Sequence, residues 1–140
     1  MSVAERRPDR VRGAEHDRFW SYCSSDELRL QRCATCRHLN WPPVSESCER
    51  CDARDLSWEA LSGRAVLVSW CTFHQRYYDD DGDVPYDAIV VELEEGALFI
   101  SNPLGFSMDM SAVDMPVSLA FIDAFDTAGP FRLPVFRQTV

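Results

Sequence analysis

No stretch of the chain approaches the ~20 apolar residues that cross a bilayer as a helix. Its opening, MSVAERRPDRVRGAEHDRFW, contains no apolar core of a secretion signal. A soluble, cytoplasmic protein with no membrane partner is expected. Lysine is absent altogether: all fourteen basic residues are arginine, against 23 acidic ones, for a formal net charge of −9. The missing lysine is read as coding composition rather than function, whereas the acid excess argues against nucleic acid as a partner. A spaced nucleophile and base, or a pair of carboxylates set for acid–base work, is also missing, so the chain is read as no enzyme by itself. Cys71 and His74 stand three apart at the end of a strand-like run and so point to opposite faces. They are read as a core cysteine and a strand-end histidine, and His16 as a solvated helix residue. The acidic run DDDGD at residues 79–83 lacks the spaced ligands and downstream glutamate of a calcium loop, and is read as solvated.

What is present is concentrated in QRCATCRHLNWPPVSESCERC, from Gln31 to Cys51. Two Cys-x-x-Cys pairs, Cys33 with Cys36 and Cys48 with Cys51, are separated by eleven residues, a spacing that lets two short turns face one tetrahedral ion. Four thiolates leave no coordination position open, so the expected occupant is a structural Zn2+. The same ligands suit a rubredoxin-like iron, and two disulfides or four separate thiols are the plain alternatives. His38 follows a complete ligand set and is read as a neighbour of the site. Cys23 and Cys71 are expected to be free and buried.

At 140 residues and 46% hydrophobic, the chain is large enough for a small metal-stapled module beside a compact barrel. Residues 1–13, with Arg6, Arg7, Arg10 and Arg12 and almost nothing apolar, read as a flexible arm. A short helix is expected from Ala14 to about Ser24, carrying Phe19 and Trp20, so that helix and ribbon occupy residues 14–54. The two prolines of Trp41-Pro42-Pro43 have no N–H for a ladder, which marks an exposed loop or edge. Beyond Asp55 five strand-like runs follow: LSWEALS, RAVLVSWCTFH, DAIVVEL, ALFI and PVSLAFIDAF. In the second, Val66, Val68 and Trp70 share one face while Ala65, Leu67, Cys71 and Phe73 lie on or near the other. Two apolar faces suit a small closed barrel, and the fold class is mainly β: helix, ribbon, then a five-stranded OB-type barrel over residues 55–140.

An aromatic helix, the cysteine frame with its inner proline pair, WEALSGRAVLVSW, VPYDAIVVELEEGALFISNPLG and the closing LPVFR together resemble the acyl-CoA-associated zinc-ribbon/OB-fold proteins once called domain of unknown function 35. The similarity runs over roughly residues 15–138. It implies a rubredoxin-like zinc ribbon followed by an OB barrel. It also implies a non-catalytic accessory subunit that helps form the acyl-CoA site of a thiolase-like or lipid-transfer-protein-like enzyme (aldolase, thiolase or acyltransferase), or that accompanies a hot-dog-fold enoyl-CoA hydratase. Arg37, Val44, Glu49 and Asp114 stand where the family commonly has glycine, arginine, proline and glycine. If Arg37 takes the left-handed turn conformation, it costs about 1 kcal/mol.

On this reading Phe19, Trp20 and Trp41 are candidate anchors for the partner enzyme, and Arg32 and Arg37 candidate contacts to coenzyme phosphates. For Phe19 and Trp20 the alternative is packing on the chain's own ribbon or barrel. The competing function is a nucleic-acid-binding ribbon/OB module. Against it, the stretch from Leu56 to Phe136 holds only Arg64, Arg76 and Arg132 among about a dozen carboxylates.

Overall fold

The arginines near the N-terminus find acids and main-chain partners far along the chain, which converts part of the expected arm into structure. The computed structural model describes residues 5–74 and 86–139, so Arg76 and the acidic run at 79–83 lie outside the described residues. Strand β1 (Glu5–Arg6) runs parallel to Ala124 and Phe125. The Arg7 N–H donates to the Phe125 carbonyl at 2.9 Å, and its guanidinium reaches Asn102 Oδ1. Arg10 Nε donates to Asp126 Oδ2 at 2.7 Å while its guanidinium lies 4.2 Å from the Phe131 ring centre. That ion pair is almost wholly buried, with side-chain exposures of 12% and 1%, and Arg10 holds the Asp126 carboxyl down at about 2. The mobile-arm reading is therefore corrected for residues 5–10: main-chain pairing with β8 (Pro116–Asp126) and the Arg10–Asp126 ion pair, not apolar burial, hold them.

Helix α1 (Ala14–Ser24) starts where Gly13 accepts the Asp17 N–H at 2.7 Å, and Glu15 and Asp17 place negative charge in its first turn. Phe19 and Cys23, four apart, share the buried face. Burial pushes the Cys23 thiol up to about 12, so it acts as a small apolar group. The ribbon sheet is β3-β2-β4, antiparallel throughout: β2 (Arg29–Cys33), β3 (Leu39–Asn40) and β4 (Leu56–Ala60). LSWEALS, expected as a barrel strand, instead forms β4 and pairs along its length with β2, from Arg29 opposite Ala60 to Cys33 opposite Leu56.

The barrel consists of β5 (Arg64–Phe73), β6 (Tyr86–Leu93), β7 (Leu98–Ser101), β8 (Pro116–Asp126) and β9 (Gly129–Gln138). β5, β6 and β7 form a meander, β8 pairs with β5, and β9 pairs with β8. A parallel bridge between Pro103 and Phe136 brings β9 back toward the end of β7, which nearly closes the five-stranded OB barrel. β9 takes the place expected of LSWEALS. Pro130 and Pro134 hid it, because a proline inside a run argues against a strand. Both lie an even number of residues from Phe136, whose N–H faces Asn102 rather than β8, so neither removes a donor from the β8 ladder.

The β5–β6 register slips between Leu67 and Ser69. This bulge shifts the alternation of β5, so Ala65 and Leu67 face the core while Cys71 is turned outward and is exposed. The expectation of a buried Cys71 is corrected on that ground. One core joins helix, ribbon and barrel: Phe19, Leu28, Leu30 and Leu39 are buried with Leu67, Ile89, Phe99 and Phe136. Trp41 lies 4.4 Å from Phe99 and 5.0 Å from Phe19 between ring centres, so the expected exposed loop has its tryptophan turned inward. Aromatic pairs of this kind add about 0.5–1.5 kcal/mol beyond area burial.

Candidate metal centre

Each Cys-x-x-Cys turn is closed by the same two main-chain bonds. Arg37 N–H donates to Cys33 O and Asp52 N–H to Cys48 O, both at 2.9 Å; Cys33 N–H donates to His38 O at 2.9 Å and Cys48 N–H to Ala53 O at 2.8 Å. To complete these turns Arg37 and Asp52 adopt φ of 68° and 65°, the left-handed region that favours glycine. The expected strain at Arg37 is present, and its counterpart at Asp52 was missed. Asp114 stands in the same region at φ 67°.

The two turns bring the four sulfurs together, all within 4.8 Å of one another. Cys33 and Cys51 Sγ are 3.5 Å apart, and Cys36 and Cys48 Sγ 3.6 Å apart. These separations far exceed the ~2.05 Å of a disulfide and match the ~3.8 Å edge of a tetrahedron with ~2.3 Å metal–sulfur bonds. The donor set fits a four-thiolate ion. Burial opposes ionisation of Cys48, but the N–H groups of Cys51 and Arg50, with Cys36 and Asn40, outweigh it and hold the thiol at about 6. Cys51 has a main-chain donor of its own, yet burial and three neighbouring sulfurs push it up to about 12. Without a cation the cluster resists its last ionisation; a divalent ion removes that resistance.

Residues that the motif did not reveal hold this cluster. Buried Asn40 donates through Nδ2 to Cys48 Sγ at 3.7 Å and to Gln31 O at 3.3 Å, and its Oδ1 accepts the Glu49 N–H at 3.0 Å. Asp55 accepts Thr35 Oγ1–H at 3.0 and 2.9 Å, and its carbonyl accepts the Ala34 N–H. His38 is outside the ligand set: its Nε2 is 2.8 Å from Glu49 Oε1, which joins the two turns. Only polarity near the cysteines hinted at these residues, since the partners are eight to twenty-one apart in sequence.

The other candidates fall in two places. Phe19 is 1% exposed and is part of the chain's own core, so its anchor role is an internal one. Trp20 and Trp41 are half-buried; Trp20 packs edge-on against Phe19 at 5.0 Å and Phe131 at 5.2 Å. Arg32 donates through Nη2 to Glu59 Oε2 and through Nη1 to Arg37 O, at 2.8 and 2.7 Å. Arg37 is exposed, and its guanidinium has no ion pair among the described residues.

Comparison with known proteins matches the same two units. Residues 20–57 match the family model of the ChsH2 rubredoxin-like zinc ribbon domain, and residues 58–121 that of the ChsH2 C-terminal OB-fold domain. The cysteine centre is thus a structural zinc site. The chain is 31% identical over 123 residues to a "Probable enoyl-CoA hydratase alpha subunit" of Thermomonospora curvata, covering 87% of this chain and 37% of that protein. It is 30% identical over 105 residues to the "3-oxo-4,17-pregnadiene-20-carboxyl-CoA hydratase alpha subunit" of Mycobacterium tuberculosis, covering 75% and 33%. The chain spans about a third of the length of these curated relatives. Among solved structures, a chain of an "Ltp2-ChsH2(DUF35) aldolase" superposes with TM-score 0.77 at 28% identity, covering 93% of this chain and 98% of that one. A DUF35 protein of unknown function from Sulfolobus solfataricus shares the fold, with TM-score 0.61 at 12% identity and coverage of 91% and 87%. The chain belongs to the zinc-ribbon/OB-fold family of the ChsH2 domains, DUF35.

Proposed function

We propose that this chain is a non-catalytic subunit of an acyl-CoA enzyme complex, docked on a thiolase-like enzyme of the lipid-transfer-protein type and supplying one wall of its acyl-CoA site. The observation that carries this reading is the end-to-end likeness of ribbon, helix and barrel to a chain of the solved aldolase. The way the chain uses its reactive side chains supports it. Four thiols make up the metal site, and the Asp126 and Glu59 carboxylates are committed to Arg10 and Arg32. The net charge of −9 weighs against a nucleic-acid module. Of the two candidate arginines, Arg37 is the one free to meet a coenzyme phosphate, while Arg32 holds the Arg37 carbonyl and so positions it.

A second reading has a specific observation behind it. Both curated relatives carry hydratase alpha-subunit names, and about two thirds of each lies beyond the matched region. A hot-dog-fold enoyl-CoA hydratase is therefore the alternative partner. The test is co-expression with each enzyme type from the same host, followed by co-purification and turnover of acyl-CoA esters. Stable association with the thiolase-like enzyme, and no turnover by the chain alone, is the expected result. Full turnover by the lone chain, or association with neither enzyme, refutes the proposal.

A further inference from the structure

β7 lies at the seam of the barrel. Its register with β6 sets Leu98 opposite Glu92 and Ile100 opposite Val90, and the Leu93 N–H donates to Ala97 O at the hairpin. In that alternation Val91 with Phe99 and Ile89 with Ser101 exchange main-chain bonds. The N–H and C=O of Leu98 and Ile100 therefore point away from β6. On that side stands β9, which reaches the last residue of β7, where Ser101 Oγ donates to Pro134 O at 2.9 Å, and pairs with the chain beyond it, where Phe136 N–H donates to Asn102 O and Leu104 N–H to Phe136 O. Further back β9 presents Pro134, which has no N–H to continue the seam. Among the described residues no hydrogen bond reaches the outward main chain of Leu98 or Ile100.

The side chains around this open edge are aliphatic. Leu98 is 56% and Ile100 64% exposed, and Val66 and Val68, on the same outer face, are each 39% exposed. Half-buried Val90 lies between them. At the centre is Glu92, exposed, with no ion pair among the described residues. A depression of about 420 Å³ lined by Arg64, Val66, Glu92 and Glu94 deepens one end of the face. Arg64 is already committed to Glu94 at 2.7 Å, so the free charge of the face is negative. Exposed apolar edges are ordinarily charged, covered or paired with another strand.

We propose that the edge and outer face of β7 receive an extended aliphatic segment of the partner enzyme, carrying a cationic side chain opposite Glu92. Main-chain bonds to Leu98 and Ile100 give the segment its direction, and alternate side chains lie on the aliphatic face. Charge selects this occupant over a second copy of the chain, which would set its own Glu92 and Glu94 against the same carboxylates. The inference rests on the subunit role proposed above and names the surface that carries it.

The experiment is titration of the purified, metal-loaded chain with the co-expressed thiolase-like enzyme, alongside Ile100→Glu, Glu92→Arg and Leu98→Ser. These side chains are on the surface, so metal content and melting should stay unchanged. Each substitution is expected to weaken association at least tenfold, and the Leu98 and Ile100 amides, fast to exchange hydrogen in the free chain, are expected to become protected in the complex. Undiminished binding by all three variants, or amides that stay unprotected, overturns the proposal while leaving the subunit role intact. Self-association that the same substitutions dissolve also overturns it. If the unaltered chain binds neither enzyme, the subunit role falls and this surface falls with it.

Discussion

Gln31 grips Val44 at both of its main-chain groups: Nε2 donates to Val44 O at 2.9 Å, and Oε1 accepts the Val44 N–H at 2.7 Å. Gln31 is buried on β2, and this pair of hydrogen bonds ties the loop between the two cysteine turns to the ribbon sheet, which in turn places Trp41 against Phe99. Gln31→Ala leaves two main-chain groups without partners. It should cost about 2–3 kcal/mol, read as a lower melting temperature of the zinc-loaded protein.

Arg37 presents two effects that one substitution separates. Arg37→Gly relieves a left-handed residue at φ 68° and should stabilise the chain by up to about 1 kcal/mol, partly offset by the freer unfolded chain. In the assembled enzyme the same variant should raise KM for acyl-CoA several-fold with kcat little changed, since it deletes the free guanidinium proposed to meet a phosphate. Higher melting with an unchanged KM would leave the strain argument standing and remove the coenzyme contact.

Gly63 is a close-packed joint between ribbon and barrel. Its φ is +85°, a Cβ there would lie 2.9 Å from Leu119 Cβ, and its carbonyl accepts the Leu119 N–H at 2.8 Å. Gly63→Ala should destabilise by about 2 kcal/mol or more, because both the backbone conformation and the β5–β8 contact resist it. A variant that melts like the parent would contradict this packing.

The Arg10–Asp126 pair should leave a mark on acid stability. Hydrogen bonds from Arg10 outweigh desolvation and depress the Asp126 carboxyl from 3.8 to about 2. A depressed carboxyl stabilises fully above its unfolded value and loses that contribution as pH falls through the folded one. The melting difference between the parent and Asp126→Asn should therefore be complete above about pH 4 and vanish toward pH 2. Metal release in acid affects both proteins alike. A difference that persists unchanged at pH 2 would show that the carboxylate charge is not what holds the N-terminal strap.

What was legible in the chain was local. The cysteine turns, the helix around Phe19 and the strand-like run DAIVVEL of β6 depend on neighbours a few residues apart, and all are where the pattern puts them. What was hidden depends on distant partners. The N-terminal arginines read as an arm because Asp126 lies 116 positions from Arg10. β9 was obscured by prolines that face the seam rather than its partner, and Cys71 was turned outward by a bulge that no residue at Val68 announces. At the metal the ligands were plain, but Asn40 and Gln31, which hold the ligand-bearing turns in place, look like ordinary polar residues until the sheet brings them together.

A zinc-braced scaffold that serves another protein's active site is the central claim. Native mass spectrometry of the chain co-expressed with the thiolase-like enzyme tests both halves at once. The predicted spectrum contains a defined complex in which every copy of this chain carries one zinc ion, with that zinc lost in Cys48→Ser. A chain that is metal-free, fully folded and always alone would contradict it.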